Sequence, residues 1–379
     1  MDLDFTEEQE MLRETVRGVC DRHSTIETVR ALEDDPTGYS PRLWKQLAEL
    51  GVLGLMIPEE HGGSGLTAIE GAVVYEELGR ALAPSPHFVS CVLSAGVLAL
   101  AGSAEQKKTW LPKIASGETI VTPAWLEPDR GYGAIGVQMS GQSNGSALTR
   151  LSGVKRHVHF ASASDRLLLL ARTGPREQDI DLFLVDPSAA GIEMTQQPAL
   201  AADTQYKLTF DGVAVADADR IGEPGSGWKT WNAVMHDGII LLAAQAMGGA
   251  ERALELTVQY SKERQQFDKP LGAFQAIAHY LADGATLVTG GKTLVYEAAW
   301  ARATGKPIDR LAPMAKLFAC QTYRDVTAMC EQVYGGYGFT VDFDIQLYFR
   351  RAKQLQLSWW DTRYLEELVA AAELDGKAA

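Results

Sequence analysis

A chain of 379 residues, 46% of them hydrophobic and 22% charged, has a globular composition and length for two or three domains sharing a large core. Its formal net charge of −14 argues against the basic face that nucleic acids require and the cationic patch that anionic membranes attract, while leaving room for a local basic site. Cys20, Cys91, Cys320 and Cys330 show no CxxC spacing, so buried free thiols are expected rather than disulfides or metal ligands. No secretory signal precedes the first helix and the longest apolar run, 92–101, is too short for a bilayer. A cytoplasmic location is therefore expected.

Residues 1 to about 120 read as helical. In "FTEEQEMLRETVRGVC", Thr6 and Gln9 form a capping box, and Phe5, Met11, Leu12, Val16 and Val19 make one apolar stripe. A second amphipathic helix in "SPRLWKQLAELG" is closed by Gly51, and "GAVVYEELGRALAP" and "AEQKKTWLPKIASGE" supply two more. From Thr119 to about residue 224 the texture changes to short β runs such as "RLLLLAR", "DLFLVD" and "YKLTFDGVAV", separated by Gly, Asp, Ser and Pro. After "GEPGSGW" helices return at 228–262, 273–304 and 309–334, with a last amphipathic stretch from Asp361. Four helices in succession point to a bundle.

Two stretches carry possible chemistry. In "YSKERQQFDKPLGAFQAIAHYLAD", Arg264, Phe267 and Gln275 flank a Pro-Leu-Gly break between helices. A cation, an aromatic face and an amide can together hold an adenosine diphosphate, because the planar Arg fork suits phosphate. On spacing alone, a solvated Arg, a core Phe and a capping Gln account for them more readily. Gly335 and Gly336 would let backbone N–H groups approach a ligand closely, although a double glycine also simply ends a helix.

Taken with "LGVLGLMIPEEHGGSGL", "YEELGRA", "LEPDRGYG", "GVKRHVHF" and "YGGYGFTVDFDIQLYFRRAK", these stretches resemble the acyl-CoA dehydrogenase family over nearly the whole chain. The resemblance implies an α+β multidomain fold. Its parts would be an N-terminal α-helical domain (1–119), a central β-barrel or sandwich domain (120–225) and a C-terminal four-helix bundle (226–379). It also implies FAD, an acyl-CoA substrate, an electron-transfer flavoprotein or similar acceptor, and an oligomer with flavin at the subunit interface. Carried over by position, Arg264, Phe267, Gln275, Gln332, Gly335 and Gly336 form the adenosine end of the FAD site.

The flavin-ring end departs from the family pattern. The Thr that precedes Glu-Pro in the family is Leu126 here, before Glu127 and Pro128. The Gly-Ser-Asp that follows is Gly131, Tyr132 and Gly133, and the aromatic and Thr of the next strand are His157 and His159.

The family's base, a Glu that takes the α-proton while the β-hydride passes to flavin, is also missing. Where most relatives carry it, after "RRAK", stands Trp359. In relatives that carry it on the first bundle helix before an Arg, the positions are Gly238 and Ile239. Asp237 lies one residue early and Asp361 two late. One residue turns a helical side chain by about 100°, and Asp is shorter than Glu, so both are weak base candidates.

This pattern resembles the base-less partner subunit of heterotetrameric (α2β2) bacterial acyl-CoA dehydrogenases, such as those of steroid side-chain degradation. Its second subunit would supply the ring pocket and the base. Two other readings stay open: a self-sufficient homo-oligomer using an Asp base or different chemistry, and a non-catalytic structural member without flavin.

Overall fold

The structure is a computed structural model that describes residues 4–143 and 148–375. The chain divides into two compact units: Met1–Val29, Thr67–Ala83 and Ile239–Ala379 form one, and Arg30–Leu66 with Pro84–Gly238 the other.

The first unit holds α1 (Glu7–His23), opened by the Thr6–Gln9 capping box, and most of the short α2 (Ile26–Ala31). Val16, Val19 and Cys20 face its core, whereas Met11, expected on the same stripe, is 66% exposed. Single exposed apolar side chains are ordinary, and periodicity alone does not say which end of a stripe the core reaches. The second unit begins with α3 (Pro41–Glu49), capped by Ser40 and followed by Gly51 at φ +71°. Back in the first unit, α4 (Ala68–Arg80) is buried along most of its length. In the second, a π-helical turn (Phe88–Ser94) runs into α5 (Ala95–Ala101), and α6 (Ala104–Ala115) follows its own capping box.

The β texture of the sequence corresponds to one eight-stranded mixed sheet. Its strands are β1 (Val121–Ala124), β2 (Ser140–Ser143), β3 (Leu148–His159), β4 (Arg166–Arg172), β5 (Ile180–Val185), β6 (Ile192–Gln197), β7 (Gln205–Ala216) and β8 (Arg220–Ile221). The order is β6-β7-β3-β2-β4-β5-β8, with β1 parallel to β4. The run Leu167–Leu170 on β4 is fully buried, as continuous apolar strands are when both faces are covered. One face carries the core of Leu151, Leu169, Phe183, Leu208 and Phe210.

The long helix α7 (Gly227–Glu263) has the length and apolarity to cross a bilayer, but 83% of its most apolar window is buried inside the protein. Its part beyond residue 238 packs on α4 almost backbone to backbone. A Cβ on Gly79 would collide with Gln245 O, and one on Gly248 with Glu76 O. The hairpin strands β9 (Gln265–Gln266) and β10 (Lys269–Pro270) lead to α8 (Gln275–Ala303) and α9 (Leu311–Tyr334).

One expectation changes here. The amphipathic stretch expected from Asp361 is the short α11 (Thr362–Ala370), and a helix that was not expected, α10 (Ile345–Leu357), stands before it. The break falls at Ser358–Asp361, where Trp359 and Trp360 both have positive φ, a backbone that no helix continues through. All four cysteines are buried and free, as their spacing led us to expect.

Candidate active site

The adenosine-end residues lie in the first unit, where α7 ends. Arg264 N donates to Tyr260 O at 2.8 Å, closing the helix, and the chain turns into the β9–β10 hairpin. At the hairpin tip Phe267 and Asp268 have φ of 53° and 61°, the left-handed pair a two-residue hairpin demands. This turn presents Phe267 86% exposed, with its ring edge-on to Phe274 at 6.2 Å. Gln275 is the first residue of α8.

Gln332 sits exposed in the last turn of α9, and its carbonyl accepts the N–H of Gly335, whose φ is +66°. A Cβ on Gly335 or Gly336 would meet nothing within 4 Å, so the backbone there is open to a ligand. Tyr260 stacks on Tyr334 at 4.1 Å and 12°, and the Arg264 guanidinium lies 5.5 Å from the Tyr337 ring. The structure therefore brings Arg264 to the double-glycine turn, with an exposed aromatic ring on the adjoining hairpin. An exposed guanidinium, open N–H groups and a free aromatic face fit an adenosine diphosphate.

The ring-end residues lie in the second unit and do not fit a flavin. Glu127 is buried, and its carboxylate is fully engaged. It accepts from Gln138 N and Met139 N at 2.9–3.0 Å and from Lys155 Nζ at 2.8 Å. Lys155, wholly buried, also donates to Trp125 O, and burial pushes its pKa down despite the carboxylate beside it. Leu126 offers no side-chain hydrogen bond, and its carbonyl is taken by Arg156 N at 2.8 Å. Trp125 packs against Tyr132 at 5.9 Å and against the fully buried Trp231 at 5.4 Å.

On β3 the register slips between Lys155 and Val158, and His157 sits in that bulge at φ +53°. Its Nδ1 lies 2.8 Å from Gln205 Oε1, and desolvation holds its pKa below the ordinary imidazole range. His159 Nε2 is 3.2 Å from Asp203 Oδ2, and Thr122 Oγ1 donates to His159 O at 2.6 Å. Both histidines are thus held by side chains of the sheet domain itself.

Both positions that could carry a base are closed. At Gly238 a Cβ would stand 2.9 Å from Leu93 Cδ2 and 3.3 Å from the Phe88 ring, so a Glu needs those side chains displaced. Asp237 is half-buried on α7. Trp359 is 8% exposed and Trp360 wholly buried. Asp361 is the N-cap of α11, its Oδ1 accepting Tyr364 N at 3.0 Å, which explains an acid at that position without any catalytic role.

Sequence reasoning missed two groups: the Glu127–Lys155 pair, and Lys316, whose buried amine holds the Trp359–Trp360 turn from α9. A lone Lys in the apolar run "APMAKLFAC" was the available signal for the second. Among the described residues no group of three or more His, Cys, Asp or Glu could hold a metal ion.

Comparison with known proteins agrees with this architecture. Residues 6–118 match the family described as Acyl-CoA dehydrogenase, N-terminal domain, and residues 225–358 match Acyl-CoA dehydrogenase, C-terminal domain. The chain is 30% identical to the probable acyl-CoA dehydrogenase YngJ of Bacillus subtilis, over 99% of this chain and all of YngJ. Among solved structures it resembles a chain of the ChsE4–ChsE5 complex from Mycobacterium tuberculosis, with a TM-score of 0.89, 29% identity and 98% of both chains covered. It also resembles a variant of the Tcur3481–Tcur3483 steroid ACAD, with a TM-score of 0.88, 30% identity and 98% and 99% covered. The chain belongs to the acyl-CoA dehydrogenase family.

Proposed function

We propose that this chain is the base-less subunit of a two-subunit, FAD-dependent acyl-CoA dehydrogenase. It would lend Arg264, Phe267, Gln275, Gln332, Gly335 and Gly336 to the adenosine end of an FAD whose ring lies in its partner. When bound, the flavin supplies the acceptor for a hydride from the acyl β-carbon. This chain's residues would hold the diphosphate and adenine and neither take a proton nor touch the reacting carbons.

The observation that carries this reading is the contrast within one molecule. The adenosine half is open and chemically suited, whereas Trp359 and Gly238 stand where relatives keep their acid, the latter wedged by Phe88 and Leu93. The likeness to a chain of the ChsE4–ChsE5 complex supports a heteromeric assembly, and the likeness to a steroid ACAD supports a bulky acyl group. An electron-transfer flavoprotein or similar carrier would reoxidise the cofactor in the cytoplasm. The domain limits are proposed at 119/120 and 225/226.

Co-expression with a second acyl-CoA dehydrogenase chain that keeps the Thr-Glu-Pro and the base Glu tests this. One FAD per two chains is expected, together with a colourless, inactive product when this chain is purified alone. A yellow, active homo-oligomer would overturn the reading.

A further inference from the structure

The Arg264 side chain is exposed, and among the described residues its guanidinium makes no ion pair. Glu263, the adjacent acid, bonds instead to Gln259. What holds Arg264 is an aromatic ring: the guanidinium carbon lies 5.5 Å from the centroid of Tyr337. For an anion the difference matters. A carboxylate partner would cancel the charge that a phosphate has to find. A ring quadrupole attracts the cation but leaves its charge and its N–H donors in place.

Tyr337 is itself firmly held. Its carbonyl accepts from Thr340 N at 3.2 Å and from Thr340 Oγ1 at 2.9 Å. Gly338 N donates to Gly335 O at 2.9 Å, and a Cβ on Gly338 would stand 2.6 Å from Glu331 O, so the loop lies pressed against the end of α9. Phe343 packs on the Tyr337 ring at 5.2 Å and edge-on against Tyr334 at 5.9 Å, and Tyr334 stacks on Tyr260. A chain of rings thus runs from the last turn of α7 across the end of α9 and back to Arg264.

We infer that Tyr337 is a positioning residue for the FAD diphosphate, its ring holding the Arg264 guanidinium beside the double-glycine turn before the cofactor arrives. A long Arg side chain on an exposed turn loses rotamer freedom when a ligand fixes it, and a ring that fixes it beforehand takes that cost out of binding. Tyr337 touches no reacting atom and acts through Arg264. The inference rests on the adenosine-end reading proposed above.

A double-mutant cycle on the FAD affinity of the assembled complex, read by titrating flavin back into the depleted protein, tests this. Tyr337→Leu should weaken FAD binding about three-fold, ~0.65 kcal/mol at about 1.36 kcal/mol per decade, the size of an exposed cation–π contact. Tyr337→Phe, which keeps the ring, should restore it. In an Arg264→Ala background Tyr337→Leu should cost nothing further, because no guanidinium is left to hold. Should Tyr337→Leu fail to assemble, Tyr337→Gln, which also lacks a ring, gives the same comparison. An equal loss in both backgrounds means that the ring acts on the cofactor by another route and overturns the inference. So does unchanged affinity in Tyr337→Leu while Arg264→Ala weakens binding, an outcome that leaves the adenosine-end reading standing. If Arg264→Ala itself changes nothing, that reading falls and the inference falls with it.

Discussion

Lys316 Nζ donates to Trp360 O at 2.8 Å from a position with no solvent exposure. The same amine donates to Leu355 O at 3.1 Å and Ser358 O at 3.0 Å. It therefore satisfies the end of α10 and pins a turn in which two consecutive tryptophans have φ of 56° and 73°. Left-handed backbone costs about 1–3 kcal/mol per bulky residue, and the buried amine offsets that cost. Lys316→Met removes three hydrogen bonds and leaves their carbonyls buried. It should destabilise the chain by about 2–4 kcal/mol in urea unfolding. A loss below about 1 kcal/mol would mean that the turn holds itself.

Restoring an acid at Gly238 should not restore chemistry. The Cβ alone meets Leu93 and Phe88 at 2.9 and 3.3 Å, so Gly238→Glu should cost about 1–3 kcal/mol in stability. Its complex should turn over no faster than the unmodified one. A gain of activity in Gly238→Glu would show that the packing yields and that this chain retains a ring site.

On the proposed reading, Arg264 should matter although this chain itself would do no chemistry. In the assembled complex, Arg264→Ala should weaken FAD binding about ten-fold or more, the effect of losing a charge-assisted hydrogen bond to a phosphate. Flavin release followed by fluorescence measures it, and unchanged affinity removes Arg264 from the site.

Asp237→Asn and Asp361→Asn should each leave turnover of the complex within about three-fold, since neither carboxylate is expected to take a proton. Asn is as good an N-cap as Asp, so Asp361→Asn keeps the bond to Tyr364 N and isolates the loss of charge. A drop of orders of magnitude in either variant, with FAD content unchanged, would put the base in this chain.

His87 should give the fold an acid-sensitive edge. It is wholly enclosed, its Nε2 3.0 Å from Val52 O, and burial lowers its pKa from 6.5 to about 4. Between those values the unfolded chain binds a proton that the folded chain refuses. The contribution is therefore fully present above pH 6.5 and is lost as pH falls toward 4, by up to about 3 kcal/mol. His87→Gln, which can still donate to Val52 O, should flatten this part of the stability profile. An unchanged slope would assign the acid sensitivity to other groups.

The sequence by itself determined what depends on near neighbours. The Thr6 box, the helix closed at Gly51, the short apolar β runs and the double glycine after α9 each follow from residues a few positions apart. The absence of an acid at 238 and 359 was equally legible, because it is a matter of identity alone. Only the tertiary structure decided what fills the space instead. Phe88 and Leu93 reach Gly238 from a helix far away in sequence, Lys155 of β3 engages Glu127 of the preceding loop, and Lys316 reaches Trp360 from α9. It also decided that Arg17, Arg80 and Arg252 line one cavity and that a separate helix, α10, precedes the last one across the Ser358–Asp361 turn. Periodicity fixes which face of an element is apolar, but which side chain occupies a given volume is set by packing between elements, and no local pattern encodes that.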